Sequence, residues 1–251
     1  MLLARSEQWE LLHSALIGIL LAMLITTAVA LLWMSSLGLG AFYLPKTLAV
    51  FIAGAALILH GLPKHHPFDS MGLANQATIA RSILVALLAG LIGERTDGSV
   101  AAVATAAAVI ATTADGVDGW LARRTNMASA FGARFDLETD ALLILVLATL
   151  AWRFGKAGAW VLLSGLLRYA FVAAGLLMPG LRRPLFPSQR RKAIAVVQMV
   201  ALIVAIAPFV PPMLSVPVAA IALLALALSF LLDVAWLRRQ SAGSRVIVSQ
   251  W

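Results

Sequence analysis

Apolar and polar residues separate into long blocks along this chain, with little alternation at short range. An α-helix rises 1.5 Å per residue, so a run of about 20 apolar residues can cross a hydrocarbon core of about 30 Å. The pattern therefore predicts an all-α, polytopic membrane protein. Its eight transmembrane helices are expected over residues 14–34, 41–62, 74–93, 99–121, 127–152, 157–178, 193–209 and 216–236. Proline and glycine predict backbone breaks at 61–63, Gly155, 179–187 and 211–212.

The composition agrees with this prediction, because 62% of the residues are hydrophobic and only 12% are charged. Such a chain has too little polar surface for a soluble globule. There is no cysteine, which excludes disulfides, thiolate catalysis, iron–sulfur clusters and cysteine-based zinc sites. The first apolar run follows Arg5 and is longer than the apolar core of a signal peptide, so we expect a retained helix.

Basic residues give the chain a net charge of +8 and predict its orientation. With eight spans, the loops on the side of the two termini carry Arg5, Lys64, Arg123, Arg124, Arg182, Arg183, Arg190, Arg191, Lys192, Arg238, Arg239 and Arg245. The other loops carry only Lys46, Arg95, Arg153 and Lys156. The positive-inside rule therefore places both termini in the cytoplasm, and we expect a multi-pass protein of the cytoplasmic membrane. Cations confined to short loops do not predict nucleic-acid binding.

Four aspartates within 26 residues carry the clearest chemical signal. Asp115 and Asp118 share one helix face, and Asp136 and Asp140 share a face of the next helix. Counted from the outer ends of their helices, all four lie about 20–28 Å inward, at the cytoplasmic edge of the membrane. One alternative is that they only cap helices or pair with Arg123, Arg124 and Arg134.

Two carboxylate pairs at one depth repel each other and need cations, and hard divalent ions prefer such oxygen ligands. The residues therefore predict one or two Mg²⁺ or Mn²⁺ ions and a phosphate-bearing substrate. Gly119 and Gly132 would let a ligand approach the backbone, although close helix packing also favours glycine.

The run D-x-x-D-G-x-x-A-R, eight residues, G-x-x-x-D-x-x-x-D over residues 115–140 resembles the signature of the CDP-alcohol phosphotransferases. Asn75-x-x-Thr78-x-x-Arg81 is similar to the segment that opens the first core helix of many members. The resemblance implies a six-helix catalytic core over 63–240. Residues 1–62 would form two additional helices of unassigned role, and 241–251 a cytoplasmic tail.

The family resemblance also implies the chemistry. Asp115, Asp118, Asp136 and Asp140 would hold two metal ions and the CDP diphosphate, with Asp140 as general base. Pocket residues would be Thr78, Arg81, Gly119, Ala122, Arg123 and Gly132. The enzyme, expected to be a homodimer, would transfer a phosphatidyl group from CDP-diacylglycerol to an alcohol and release CMP.

Cations near the site predict a phosphorylated polyol such as glycerol 3-phosphate as acceptor. Arg168 lies inside a predicted span, where a charge is costly, and its alternative role is a pair with an aspartate of a neighbouring helix. Arg190, Arg191 and Lys192 open the following helix. Lys192 and Gln198-Met199 resemble phosphatidylglycerophosphate synthases, from which the chain departs at Tyr169, Ile194 and Ala195. Asp233 is expected to pair with Arg238 or Arg239.

Two other classes of membrane protein also use acidic side chains to bind their ligands. A membrane prenyltransferase binds a Mg²⁺-diphosphate, but its two aspartate motifs lie on separated helix pairs, whereas here all four lie within 26 residues. A cation-coupled transporter predicts paired or broken helices, and no two halves of this chain match. Release of CMP would distinguish the transferase from both.

Overall fold

The structure is a computed structural model that describes residues 5–65, 67–68, 70–124, 129–177 and 188–248. Within these ranges, side chains are not described for 5–8, 63–65, 117–123, 177 and 238–248. The described residues form eight α-helices and one short 3-10 helix. The α-helices are α1 (Arg5–Leu37), α2 (Tyr43–His65), α3 (Gly72–Gly90), α4 (Gly98–Arg124), α5 (Ala130–Arg153), α6 (Leu163–Leu177), α7 (Gln189–Ile206) and α8 (Pro212–Val248).

The predicted all-α architecture of eight helices is confirmed, and the differences lie at the helix ends. Helices α1 and α8 are longer than predicted, at 33 and 37 residues. The expected break at 61–63 is wrong, because α2 continues to His65; a proline in the last turn removes only one hydrogen bond. The expected break after α5 is confirmed at Gly155, whose φ of 67° favours glycine. The backbone breaks expected at 179–187 lie outside the described residues.

Six of the described helical segments are long and apolar enough to cross a membrane: α1, α2, α3, α4, α8, and α6 with the 3-10 helix Ala159–Leu162 before it. Helices α5 and α7 do not meet this criterion, because α5 carries Asp136, Glu138 and Asp140 and α7 carries Arg190, Arg191 and Lys192. Both charged groups lie near the N-terminal ends of their helices, which are otherwise apolar. The chain is therefore a multi-pass membrane protein in which α5 and α7 carry charged N-terminal ends.

Helix α3 lies at the centre of the bundle. In its apolar window 61% of the residues are buried, against 33% or less in the other five candidate spans. Helices α1, α2, α4 and α5 all pack against α3. At Gly90 an added Cβ would lie 2.0 Å from the Thr47 hydroxyl of α2, so the two helices approach as closely as small residues permit.

At the end of the bundle opposite the acidic residues, polar contacts join the α1–α2 loop and the first turn of α2 to the loop between α3 and α4. The Lys46 ammonium contacts Glu94 and the Ile92 carbonyl, both at 2.7 Å. The Gly40 amide donates to the other Glu94 oxygen at 2.7 Å. In the same loop, hydrogen bonds from the Ser99 hydroxyl and the Val100 amide hold the pKa of Asp97 below its usual value. These contacts fix the α1–α2 hairpin to the beginning of α4.

We expect Gly165→Ala to destabilise the fold. Its Cβ would lie 2.6 Å from the Leu145 Cα on α5, and backbone cannot yield as a side-chain end can. Overpacking of this kind costs about 1–3 kcal/mol. Gly54→Ala is the matched control, since Gly54 is also helical and has nothing within 4 Å of an added Cβ. Thermal unfolding in detergent measures both, and equal melting temperatures would contradict the packing described for α5 and α6.

Candidate metal centre and active site

A buried arginine on α3 brings three aspartates together. The side chain of Arg81 is fully enclosed. Its Nη1 donates to Asp115 Oδ1 at 2.6 Å, and its Nη2 donates to Asp136 Oδ1 at 3.0 Å and to Asp140 Oδ1 at 2.6 Å. The guanidinium thus connects α3 with α4 and α5. Charge-assisted bonds of this length are among the stronger hydrogen bonds in proteins.

The three carboxylates form a group that could hold a metal ion. One oxygen from each of Asp115, Asp136 and Asp140 lies within 4.8 Å of the others. Their side chains are 26%, 39% and 21% exposed, so a ligand can reach them from the end of the bundle. Three carboxylates and one guanidinium carry two net negative charges, which one divalent ion would balance. Hard oxygen donors of this kind fit Mg²⁺ or Mn²⁺. The side chain of Asp118 lies outside the described set.

Local structure explains why the α5 aspartates converge with Asp115. Asp136 and Asp140 are one helical turn apart and face the same side. Helix α5 begins after Ser129, whose hydroxyl accepts a hydrogen bond from the Gly132 amide at 3.0 Å. This cap fixes the first turn of α5 just before the aspartates.

Gly132 is a contact point between α5 and α3. A Cβ at this position would lie 2.7 Å from Asn75 Oδ1. The Asn75 side chain is buried and donates to the Met71 carbonyl at 2.6 Å. The packing alternative for Gly132 therefore has direct support, while its role in a ligand pocket stays a prediction.

Helix α2 also packs against the beginning of α5. A Cβ at Gly61 on α2 would lie 3.3 Å from the ring of Phe131. That ring stacks on Phe135, with centroids 5.9 Å apart, and Phe135 directly precedes Asp136. The N-terminal hairpin thus contacts the part of α5 that leads into the carboxylate group.

The other predicted pocket residues lie on α3 and α4. Thr78 is buried one turn before Arg81, and its hydroxyl donates to the Ala74 carbonyl at 3.1 Å. Gly119, Ala122 and Arg123 belong to the last turns of α4, but their side chains lie outside the described set. Their contacts with a nucleotide stay a prediction.

Arg168 lies on a different face of the bundle from the carboxylate group. It forms an ion pair with Glu138 of α5. Glu138 is two residues from both Asp136 and Asp140, which turns it about 160–200° away from them around the helix. The alternative role predicted for Arg168 was an ion pair with an aspartate of a neighbouring helix, and the observed partner is a glutamate. A role for Arg168 in acceptor binding stays a prediction.

The cations at the beginning of α7 have different surroundings. Asp233 of α8 accepts from Arg190 at 2.6 Å and from Arg191 at 3.4 Å. The predicted partners of Asp233, Arg238 and Arg239, have side chains outside the described set, so that pairing stays a prediction beside the two observed contacts. Lys192 is exposed, and its ammonium makes no ion pair with any side chain that the structure describes.

Two residues near the site were missed as individual candidates. Asn75 was named only within the motif of α3, and Glu138, which lies within the aspartate run, was given no role. The available signal for Glu138 was the charge of Arg168 inside a predicted span, because a buried charge requires an acidic partner on a neighbouring helix.

Comparison with known proteins identifies the fold that carries this site. A family described as CDP-alcohol phosphatidyltransferase matches residues 71–233, which is 163 of the 251 residues. No curated protein and no solved structure matches the chain. The matched range begins at Met71, includes Arg81 and the three clustered aspartates, and ends at Asp233. By this match over most of its length, the chain belongs to the CDP-alcohol phosphatidyltransferase family, whose members transfer a substituted phosphate group from a CDP-alcohol.

Proposed function

We propose that this protein transfers a phosphatidyl group from CDP-diacylglycerol to the hydroxyl of an alcohol and releases CMP. The observation that carries the proposal is the group of three carboxylates around Arg81, which could hold a divalent ion at the open end of the bundle. The family supplies the CDP-alcohol donor. A diacylglycerol anchor is the form of that donor that suits a protein with six candidate spans in its described part.

In the proposed mechanism, Asp140 is the general base. Its carboxylate accepts the proton of the acceptor hydroxyl, whose oxygen attacks the phosphorus that bears the diacylglycerol. The bond from that phosphorus to the bridging oxygen breaks, and CMP leaves with the electron pair. Bound Mg²⁺ or Mn²⁺, held by Asp115, Asp136 and Asp140 with Asp118, would neutralise the diphosphate and the leaving group. Arg81 fixes the three carboxylates in place.

The remaining assignments follow the same proposal. Thr78, Gly119, Ala122, Arg123 and Gly132 would line the nucleotide pocket. The catalytic core would extend over 63–240, with residues 1–62 and 241–251 outside it. We further propose that the protein is a homodimer, as the family resemblance implies. We place it in the cytoplasmic membrane with both termini and the active site on the cytoplasmic side, because the basic loops follow the positive-inside rule.

The acceptor that the charges favour is a phosphorylated polyol. At the beginning of α7, Lys192 is exposed and makes no ion pair with any side chain that the structure describes. An acceptor phosphate would complement this charge. Arg168 would contribute less, because Glu138 already neutralises it.

We therefore expect Lys192→Gln to raise the KM of a phosphorylated acceptor, with little change in the KM of CDP-diacylglycerol. Arg168→Gln is the comparison, since it removes a cation that has an acidic partner and should change acceptor KM less. Initial rates with glycerol 3-phosphate, inositol phosphate and serine measure these effects. Saturable transfer to serine, with none to the two phosphates, would overturn the acceptor assignment and leave the transferase proposal intact.

Metal dependence provides a second test. We expect turnover to stop in excess EDTA and to return with Mg²⁺ or Mn²⁺. Asp115→Ala or Asp136→Ala should raise the metal concentration needed for half-maximal activity and weaken CDP-lipid binding together, because one ion group serves both. Full activity of the wild type in EDTA would contradict the proposed centre.

A further inference from the structure

A groove with a volume of about 550 Å³ runs between α1 and α3. Its polar lining is confined to one end, where Glu10, His13 and Ser14 of α1 face Gln76 of α3. Beyond them the lining is aliphatic, with small residues such as Gly18 and Ala80. The groove therefore has the polarity of an amphiphile, with a polar mouth and an apolar track.

The dimensions of the groove match one lipid chain. Its lining extends along α1 from Glu10 to Ile25, which is about 22 Å at 1.5 Å per residue. The polar mouth is near the beginning of both candidate spans, Trp9–Leu37 and Gly72–Gly90. The mouth thus lies at the level of lipid headgroups, and the track extends into the hydrocarbon core, which is about 30 Å thick.

Helix α3 separates the groove from the carboxylate group. Ile79 and Ile83 line the groove, and each is two residues from Arg81. That spacing turns them about 160° away from Arg81 around the helix. A lipid in the groove would therefore contact the side of α3 opposite Arg81, which binds the three aspartates of α4 and α5, and it would not be the reacting donor.

The charges at the mouth favour a zwitterionic headgroup with an amine. Glu10 and His13 are three residues apart and both exposed, so they lie side by side at the mouth. The Glu10 carboxylate complements an ammonium group, whereas His13, Ser14 and Gln76 can donate to a phosphate diester. The described lining includes no lysine or arginine, and Glu10 would repel a headgroup with net negative charge.

From these observations we propose that the groove is a binding site for one phospholipid with an ethanolamine headgroup. Its acyl chain lies on Gly18 and Ala80, and its amine contacts Glu10. A ligand that binds only the folded protein stabilises it, so this lipid raises the melting temperature of the protein. The proposal is independent of the reaction at the aspartates.

The test measures lipid retention by delipidated protein in detergent, by native mass spectrometry, with phosphatidylethanolamine and phosphatidylglycerol of identical chains as probes. We expect the wild type to retain one phosphatidylethanolamine and to melt at higher temperature with it. Gly18→Leu and Ala80→Leu fill the groove from opposite walls and should abolish that retention. Ala53→Leu, on an exposed position of α2 outside the groove, is the matched control and should retain the lipid.

Charge reversal at the mouth tests the headgroup. Glu10→Lys, an exposed substitution, should invert the preference in favour of phosphatidylglycerol. This substitution also tests the proposal if Gly18→Leu or Ala80→Leu fails to fold. Equal retention of phosphatidylethanolamine by the filled variants and Ala53→Leu would overturn the site. A wild type that prefers phosphatidylglycerol, or a preference unchanged in Glu10→Lys, would overturn the headgroup assignment and with it the proposal.

Discussion

Asp140→Asn should lower the rate of phosphatidyl transfer by about 10²- to 10⁴-fold, the range typical for loss of a positioned general base. The amide fills the same space and can still accept from Arg81, which donates to Asp140 Oδ1 at 2.6 Å. It cannot take the proton of the acceptor hydroxyl. The measurement is the initial rate of CMP release at saturating donor and acceptor, with thermal unfolding as the check on folding.

The matched control for this variant is Asp97→Asn. Asp97 is outside the carboxylate group, at the beginning of α4, where it accepts from the Val100 amide at 2.9 Å. Asparagine caps helices about as well as aspartate, so this replacement should leave both the fold and the chemical step unchanged. Turnover of Asp140→Asn within a few-fold of Asp97→Asn would show that another group accepts the proton.

Arg81→Gln should destabilise the protein strongly when divalent ions are absent. Removal of the guanidinium leaves three carboxylates within 4.8 Å of one another without their shared cation. Loss of one partner from a buried ion pair costs about 3–5 kcal/mol, and partial exposure of the aspartates places the expected value near the lower end. Added Mg²⁺ should raise the melting temperature of this variant more than that of the wild type, because the ion replaces the missing positive charge.

Arg134→Gln is the control for the Arg81 variant. Arg134 is an exposed arginine on α5, two residues before Asp136. Its loss changes the net charge equally but breaks no contact with the three carboxylates. If both variants melt at the same temperature and respond equally to Mg²⁺, Arg81 is not the charge that holds the carboxylates together.

The grouping of the aspartates could be predicted because helix periodicity and depth are properties of the sequence. Asp136 and Asp140 share a face by their spacing, and counting from the helix ends places them level with Asp115. The structure brings these three within 4.8 Å. The eight helices were predicted from the length of the apolar runs, which leave few alternatives to a membrane-spanning helix.

The partners of the charged residues could not be predicted in the same way. Arg123, Arg124 and Arg134 were the alternative partners for the aspartates because they are near in sequence, whereas the partner that the structure describes is Arg81, 34 residues from Asp115. Which side of α3 faces α4 and α5 depends on packing at positions such as Gly132 and Asn75. Such contacts between helices are set by tertiary structure, which the spacing of residues within one helix does not determine.

The same reason explains the acceptor cations. Asp233 was expected to pair with the arginines that follow it on α8, which lie outside the described side chains, and the sequence did not point to its observed partners at the beginning of α7, Arg190 and Arg191. Arg168 required an acidic partner, and only the packing of α6 on α5 identifies it as Glu138. Both pairs change the expected acceptor site, because they leave Lys192 as its exposed cation without an ion pair among the described side chains.

The central claim is tested most directly by CMP release from CDP-diacylglycerol, with purified wild-type protein, Mg²⁺ and a panel of alcohol acceptors. The account predicts that CMP appears in equal amount to a new phospholipid, only when an acceptor hydroxyl is present, and that Asp140→Asn releases almost none. Folded wild-type protein that forms no CMP with any acceptor, or that releases it as fast after Asp140→Asn, would contradict the account.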